Sequence, residues 1–570
     1  MFISTIKKRL LFNSIVISII LLINFFCFNE IFVSKNIIID FAINPFNICK
    51  KYPSLWNFIK TSYIFISIFS AFIFSNFIYS LISISKIPNN KTIKNENLNY
   101  NYLDLNLLIG RNPSNTPIFL TEKGLYQNIL ITGTIGSGKT SSAMYPFTEQ
   151  LIKFKADNNF EKVGLLILDV KGNYHNQVKK YCEKYNRIND FMVLSLDGSI
   201  KYNPLDKPNL KPTVLANRLK TILTLFSSNN GEAYWLEKVE QILTECIKFC
   251  RLYNNGYVTF LEIHKLITEP DYYLTKVDIL RKKFVSGKLS KENCFDLLTS
   301  IEFFEKEFFK LDSRTMAILK SEITRITGCF VSDYQVKRIF CPKQNEINFN
   351  GFKNLISSGK ILVLNMNIAE FKNVSKIIAA YLKLDFQTEV LSRLTKKHDF
   401  LRPVAFISDE FHEYVTTTDA DFFAQSRESK CINIVATQSY TSLLNTLNNP
   451  NATKTIIQNL VNKLWFRTDD IFTIEDAQKQ LGKEEKIKTS KTISENAKTT
   501  NFNFLTKKFK SLDSNISESI NSYSQFDFIF DTNFFTQKLE CFSCIAFISN
   551  GSNIIPPQKI NMIPYFKNYY

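Results

Sequence analysis

Read for hydrophobic and polar positions alone, the chain falls into three parts. Residues 10–28 form an uncharged apolar stretch about as long as a bilayer core requires, and a second runs from Ser62 to Ser85 without a charge. From residue 128 onward, short apolar runs alternate with segments of helical period. Asn128–Thr132, Val163–Asp169, Phe191–Leu196, Lys360–Asn365, Val404–Ser408, Ile432–Ala436, Lys463–Thr468 and Ile545–Ile548 read as buried strands. Residues 103–120 read as short strands and turns, Ser141–Phe154 as a helix, and 373–396 as a long one. Strands closing on polar turns and separated by helices predict an α/β fold with a parallel sheet, whose sites gather at the carboxyl edge. Between residues 211 and 333 the strand alternation disappears. Trp235, Val239, Ile242, Leu243, Cys246 and Ile247 recur there at helical spacing, which predicts an inserted all-α domain.

The chemistry enters where the first core strand stops. Gly133-Thr134-Ile135-Gly136-Ser137-Gly138-Lys139-Thr140 is a complete G-x-x-x-x-G-K-[ST] phosphate loop, and Ser141 opens the helix behind it. Its glycines let successive N–H groups face phosphate oxygens, Lys139 reaches the β- and γ-phosphates, and the Thr140 hydroxyl can ligate Mg²⁺. The run Val404–Ser408 ends in Asp409-Glu410, the pattern of a Walker B element. Asp409 would hold Mg²⁺ and Glu410 would orient the attacking water. Gln438, at the end of the strand 432–436, could contact the γ-phosphate or the water, or could make a strand-end hydrogen bond. Arg427 reads either as an arginine finger acting on a neighbouring subunit or as a surface residue.

Composition narrows partners without choosing one. Lys+Arg 70 against Asp+Glu 52 gives a net charge of +18, which suits an anionic partner such as nucleic acid or a membrane surface, or plain solubility. The 11 cysteines are scattered, and Cys541-x-x-Cys544 has no second pair to complete a zinc site. Lys7, Lys8 and Arg9 before the first apolar stretch, and Lys86, Lys91 and Lys94 after the second, place both ends of a two-span anchor in the cytoplasm; Lys50, Lys51 and Lys60 between them weigh the other way. Residues 483–525, rich in Lys, Ser, Thr and Asn, read as a mobile polar excursion.

Two spans, the phosphate loop, Asp169-Val-Lys-Gly172, Tyr202-Asn-Pro-Leu-Asp206, Tyr234-Trp235 opening the helical insertion, Ser408-Asp-Glu-Phe411 and Ala436-Thr-Gln438 follow one another in an order that resembles the type IV coupling proteins, the TraG/TraD-like ATPases of conjugation and type IV secretion. Val170 stands where these proteins often carry Pro. The resemblance implies a membrane anchor (1–97), a RecA-like domain (98–210 and 334–570) and an all-α substrate-recognition domain (211–333). It further implies ATP and Mg²⁺ as cofactors and a homo-hexamer in the cytoplasmic membrane with its ATPase body in the cytoplasm. Single-stranded DNA with its relaxase, or secreted protein cargo, would be the substrate, passed to a type IV secretion channel. Carried residue by residue, the family's Walker lysine and hydroxyl fall on Lys139 and Thr140, its Walker B acids on Asp409 and Glu410, and its glutamine on Gln438; Arg427 matches more loosely. Two other readings share these motifs: an FtsK/HerA-like duplex DNA translocase, and a cargo receptor that uses ATP only to assemble.

Overall fold

The apolar runs become strands because each can be buried on both faces. In this computed structural model they are β1 Leu107–Arg111, β2 Pro117–Leu120, β3 Ile129–Thr132, β4 Gly164–Asp169, β5 Phe191–Ser195, β6 Ile361–Asn365, β7 Val404–Ser408, β8 Cys431–Thr437 and β9 Asn462–Trp465. They are followed by β10 Lys483–Glu495, β11 Thr500–Asn503, β12 Lys508–Ser511, β13 Ile516–Phe528, β14 Ser543–Phe547 and β15 Gln558–Asn561. The structure describes residues 14, 17–25, 53–85 and 105–567, apart from 170, 226–232, 288, 367, 372, 396–400, 496–499, 504–507 and 512–515.

Eleven strands form one sheet in the order β2-β1-β15-β14-β9-β3-β8-β7-β4-β6-β5. From β9 to β5 every neighbour is parallel. The strands on the other side join antiparallel. Strands β3, β4, β7 and β8 are buried along their whole length, as a parallel sheet covered on both faces requires. Their common direction brings the carboxyl ends of β3 and β7 to one edge, with β8 between them.

Alternate residues feed two apolar cores. Leu166, Leu168, Leu364, Phe406 and Val435 pack into a cluster with the helices that lie between β5 and β6, from Pro212–Thr224 through Gly351–Ser358. Leu165, Ile167, Val363, Ile407 and Ile434 point the other way, onto the helices Tyr145–Lys153 and Tyr174–Lys184. No strand occurs between β5 and β6 among the described residues. That helical segment shares its apolar core with the sheet, and the chain divides into two compact units, 1–100 and 101–570.

The polar segment 483–525 differs from the expected mobile excursion. Its β10 pairs with β13 over Lys483↔Phe528 to Glu495↔Ile516, and β11 pairs with β12. The pairing follows a period of two that the polar composition obscures: Ile487, Ile493, Ile520 and Phe526 lie on one face, and Thr, Ser, Lys and Asn dominate the other. The long helix expected over 373–396 ends at Leu391, and 396–400 lie outside the described residues.

In the first unit, the expected span 62–85 falls on the helix Pro53–Ser85, which exposes Phe58, Phe65 and Phe69. The side chains of 72 and 74–85 lie outside the described residues, as does most of the expected span 10–28. Among the described residues, no helix is long and apolar enough to cross a membrane.

Lys463, on β9, is 4% exposed, and burial pushes its ammonium down to about 8, with Asp476 acting the other way. A buried lysine with a depressed folded value binds fewer protons than the unfolded chain between pH 8 and pH 10.5, so its stability cost is present below that window and fades as pH rises through it. Lys463→Met is expected to gain on the order of 2–3 kcal/mol at pH 7, a gain that shrinks toward pH 10.5; denaturant midpoints of the two proteins across that range measure it.

Candidate nucleotide site

Everything that could hold a nucleotide converges at the carboxyl edge around β3. The Gly133 N–H donates to the Gln438 carbonyl at 3.2 Å, and the Thr134 N–H donates to the Arg467 carbonyl at 2.8 Å, which ties the loop to the ends of β8 and β9. Ser137 Oγ donates to the Thr134 carbonyl at 2.7 Å, and the hydroxyls of Ser141 and Ser142 donate to the Gly138 carbonyl at 3.2 and 2.8 Å. Ile135 is exposed on the loop's outer side. Beyond the loop the chain makes a π-helical turn, Thr140–Met144, before the helix Tyr145–Lys153.

Gly138 is required twice over. Its φ is +97°, and a Cβ there would stand 2.5 Å from a ring carbon of Phe542. The Phe542 N–H donates to the Ser137 carbonyl at 3.1 Å, and the Tyr565 N–H donates to the Ser141 carbonyl at 2.9 Å. The C-terminal strands thus pack directly on the loop, and the sequence carries no signal for that contact.

Lys139 is buried. Its Nζ donates to the Gly133 carbonyl and to the Thr134 carbonyl at 3.2 Å. Desolvation holds its ammonium below the usual lysine value, against the pull of Glu410 and Asp409. A bound phosphate would offer this ammonium a charged partner in exchange for two carbonyls.

Asp409 and Glu410 follow β7. Thr140 Oγ1 donates to Asp409 Oδ2 at 3.1 Å, which joins the phosphate loop to the acidic strand end. Burial pushes the Asp409 carboxyl up; Lys171 opposes this, while Glu410 and Asp169 add to it. Lys171 Nζ lies 3.3 Å from Asp409 Oδ2 and 3.0 Å from Glu410 Oε1. Burial works against the Lys171 charge, but these two carboxylates outweigh it and hold its value above the usual lysine range. Glu410 has φ +51° and ψ +49°, a left-handed conformation that costs a non-glycine residue about 1–3 kcal/mol and persists where the surroundings over-determine it. Its Oε2 is buried and makes no hydrogen bond among the described residues; His412 Nδ1 stands 3.7 Å away.

The turn after β4 delivers Lys171. Asp169 accepts from the N–H groups of Lys171, Asn173 and Tyr174 at 2.9, 2.8 and 2.8 Å, which fixes the turn and opens the helix Tyr174–Lys184. The sequence marks Asp169-Val-Lys-Gly172 as a turn but shows no role for Lys171, because its partners lie about 240 residues away in the chain.

Of the residues expected at the site, the structure brings together the loop from Gly133 to Ser141, Asp409, Glu410 and Gln438. Gln438 is half-buried at the end of β8, and its backbone carbonyl makes the contact to the loop. Arg427 is not among them. It is exposed, four residues before β8 begins, and β8 runs seven residues to reach the loop edge, a separation of about 20 Å. Within one chain it cannot reach the phosphate loop.

The residues present suit Mg²⁺. Thr140 Oγ1 and Asp409 Oδ2 are hard oxygen donors side by side at the end of the phosphate loop, and Mg²⁺ is commonly held by one or two protein oxygens with phosphates and waters completing its shell. Among the described residues, no group of three or more His, Cys, Asp or Glu could hold a metal by itself.

Two buried charges on the helix Asn373–Leu391 connect this edge to the inserted helices. Lys383 Nζ donates to the Tyr414 carbonyl at 2.8 Å and pairs with Asp419, while the Tyr414 hydroxyl donates to the Asp409 carbonyl at 3.0 Å. Asp385, also fully buried, pairs with Lys207 and Arg218 at 2.9 Å each and accepts from the Tyr202 hydroxyl. Tyr202 belongs to the Tyr-Asn-Pro-Leu-Asp segment, and Arg218 lies on the helix Pro212–Thr224.

Comparison with known proteins agrees with this architecture. Residues 403–522 match the family described as the TraM recognition site of TraD and TraG. No curated protein matches the chain in sequence. Among solved structures, the bacterial conjugative coupling protein TrwBdeltaN70 in its unbound form superposes with a TM-score of 0.53 at 12% identity, covering 80% of this chain and 88% of that one. TrwB with the GTP analogue GDPNP gives 0.52 at 11%, covering 78% and 87%. TrwB with ADP and Mg²⁺ gives 0.51 at 11%, covering 80% and 88%. At these identities the likeness shows the fold. The resemblance to the type IV coupling proteins therefore holds in two separate respects, the family match over 403–522 and a fold shared across four fifths of the chain.

Gly138→Ala is expected to weaken binding of a fluorescent ADP analogue by at least about tenfold, since φ and the Phe542 ring both oppose the methyl group. Adding Phe542→Ala should recover part of that loss. No recovery would mean that backbone strain alone accounts for it.

Proposed function

We propose that this chain, related to the type IV coupling proteins by its family match and its fold, is an ATPase that drives single-stranded DNA with its relaxase, or a protein cargo, into a secretion channel. The observation that carries the nucleotide chemistry is the Thr140–Asp409 contact: a hydroxyl at the end of a complete phosphate loop meets the first of two carboxylates at the end of β7. TrwB, whose fold the chain shares, has been solved with an ATP analogue and with ADP and Mg²⁺, which supports the same ligands here.

In this reading the loop N–H groups and Lys139 bind the β- and γ-phosphates. Thr140 and Asp409 would hold Mg²⁺, which would offset phosphate charge. Glu410 orients a water and takes up its proton. The water oxygen bonds to the γ-phosphorus as the bond to the β–γ bridging oxygen breaks, leaving the electron pair on ADP. Glu410 Oε2, which makes no hydrogen bond among the described residues, would supply the acceptor for that proton. Arg427 would act only across a subunit boundary, in keeping with a ring of six copies. The uncharged stretches 10–28 and 62–85, with basic residues outside both, support a two-span anchor in the cytoplasmic membrane with the ATPase body in the cytoplasm. The match to a TraM recognition site supports a protein partner docking on 403–522.

Full-length protein in detergent is expected to hydrolyse ATP faster when single-stranded DNA is added. Lys139→Ala and Glu410→Gln should each lower turnover by roughly two orders of magnitude or more. Stimulation by duplex but not single-stranded DNA would support the FtsK/HerA-like translocase. Binding without stimulated turnover, with cargo transfer intact in Glu410→Gln, would support the receptor reading.

A further inference from the structure

The lysine of the turn after β4 has no part in the phosphate loop or the acidic strand end, yet it is the one cation paired with both acids among the described residues. Its side chain is 48% exposed, whereas those of Asp409 and Glu410 are 1% and 10% exposed, so a flexible stem reaches in from solvent to a buried pair. Asp169 fixes the backbone beneath it through three N–H groups, which leaves the stem as the part free to move. Asp409 Oδ2, which with Thr140 Oγ1 makes the oxygen pair that suits Mg²⁺, accepts from both Thr140 Oγ1 and Lys171 Nζ. An ammonium and a dication cannot both hold that carboxylate oxygen without strong like-charge repulsion. With Asp409 given up, Lys171 still has Glu410 Oε1 as a partner at 3.0 Å, and a phosphate bound at the loop would offer its ammonium an acceptor in place of Asp409.

We propose that Lys171 is a positioning residue for hydrolysis: it holds Glu410 through Oε1, so that Oε2 faces the attacking water, and trades Asp409 for a terminal phosphate oxygen when magnesium nucleotide binds. This rests on the ATPase reading of the site. A purely structural lysine would instead stabilise the buried acid pair and have no dealings with magnesium.

The two roles separate in full-length protein carrying Lys171→Met and Lys171→Arg, with fluorescent ADP and Mg²⁺ as probes. Because Lys171 competes for Asp409, Lys171→Met should lower the Mg²⁺ concentration that half-saturates ADP binding by about threefold or more. It should also lower kcat by about tenfold or more while KM for ATP changes by less than about threefold, and Lys171→Arg should restore part of kcat. An unchanged magnesium requirement with unchanged kcat overturns the proposal. So does a fall in thermal midpoint and ADP affinity together that Lys171→Arg fully reverses while kcat per folded molecule stays constant. The ADP measurement needs no turnover, so if the wild-type protein proves not to hydrolyse ATP, that failure is seen separately.

Discussion

Two adjacent carboxylates buried at the end of a parallel strand are the constraint around which this fold is arranged. Asp409 and Glu410 lie where water cannot screen them, and each would be costly without a partner of opposite charge or a hydrogen bond. The chain meets that demand from two directions. The phosphate loop presents Thr140, and the turn after β4 presents Lys171. Both depend on sheet order, since β4 pairs directly with β7 and β8 alone stands between β7 and β3. The left-handed backbone at Glu410 is held by the same surroundings: the Glu410 N–H donates to Asp409 Oδ1, and the Tyr414 hydroxyl bridges Ser408 and the Asp409 carbonyl.

A second layer of buried charge lies behind the first. Lys383 and Asp385 are two residues apart on one helix, so they face different neighbours. One anchors the segment after Glu410, and the other anchors the Tyr202 turn and the first inserted helix. The continuous apolar core between sheet and insertion gives these ionic contacts a rigid setting, because close-packed interiors transmit displacement rather than absorb it. In physical terms, the site and the helical insertion share one helix as a common support.

Much of this was legible in the residues, and the divide follows sequence distance. The phosphate loop, the strands on either side of it and the acidic strand end are local signals, each complete within about ten residues, and they fall at one edge of the sheet. The contacts that finish the site are not local. Lys171 meets acids about 240 residues away, and Phe542 covers Gly138 from the far end of the chain. A motif can name a turn without showing which element it faces. The hairpin β10–β13 is hard to see in the sequence for another reason: its period-two pattern rests on a few scattered apolar residues in a background of Ser, Thr, Lys and Asn, so composition outweighs periodicity. Arg427 marks the opposite case, a residue whose expected role needs a neighbour that a single chain does not contain.

The most direct test of the account is a crystal structure of the full chain with ADP and Mg²⁺. The account predicts the ion on Thr140 and Asp409, Lys139 turned from the Gly133 carbonyl to the β-phosphate, and the adenine-bearing end leaving the carboxyl edge of the sheet. Nucleotide bound anywhere else, or Lys139 still held by its own loop beside a bound phosphate, would contradict it.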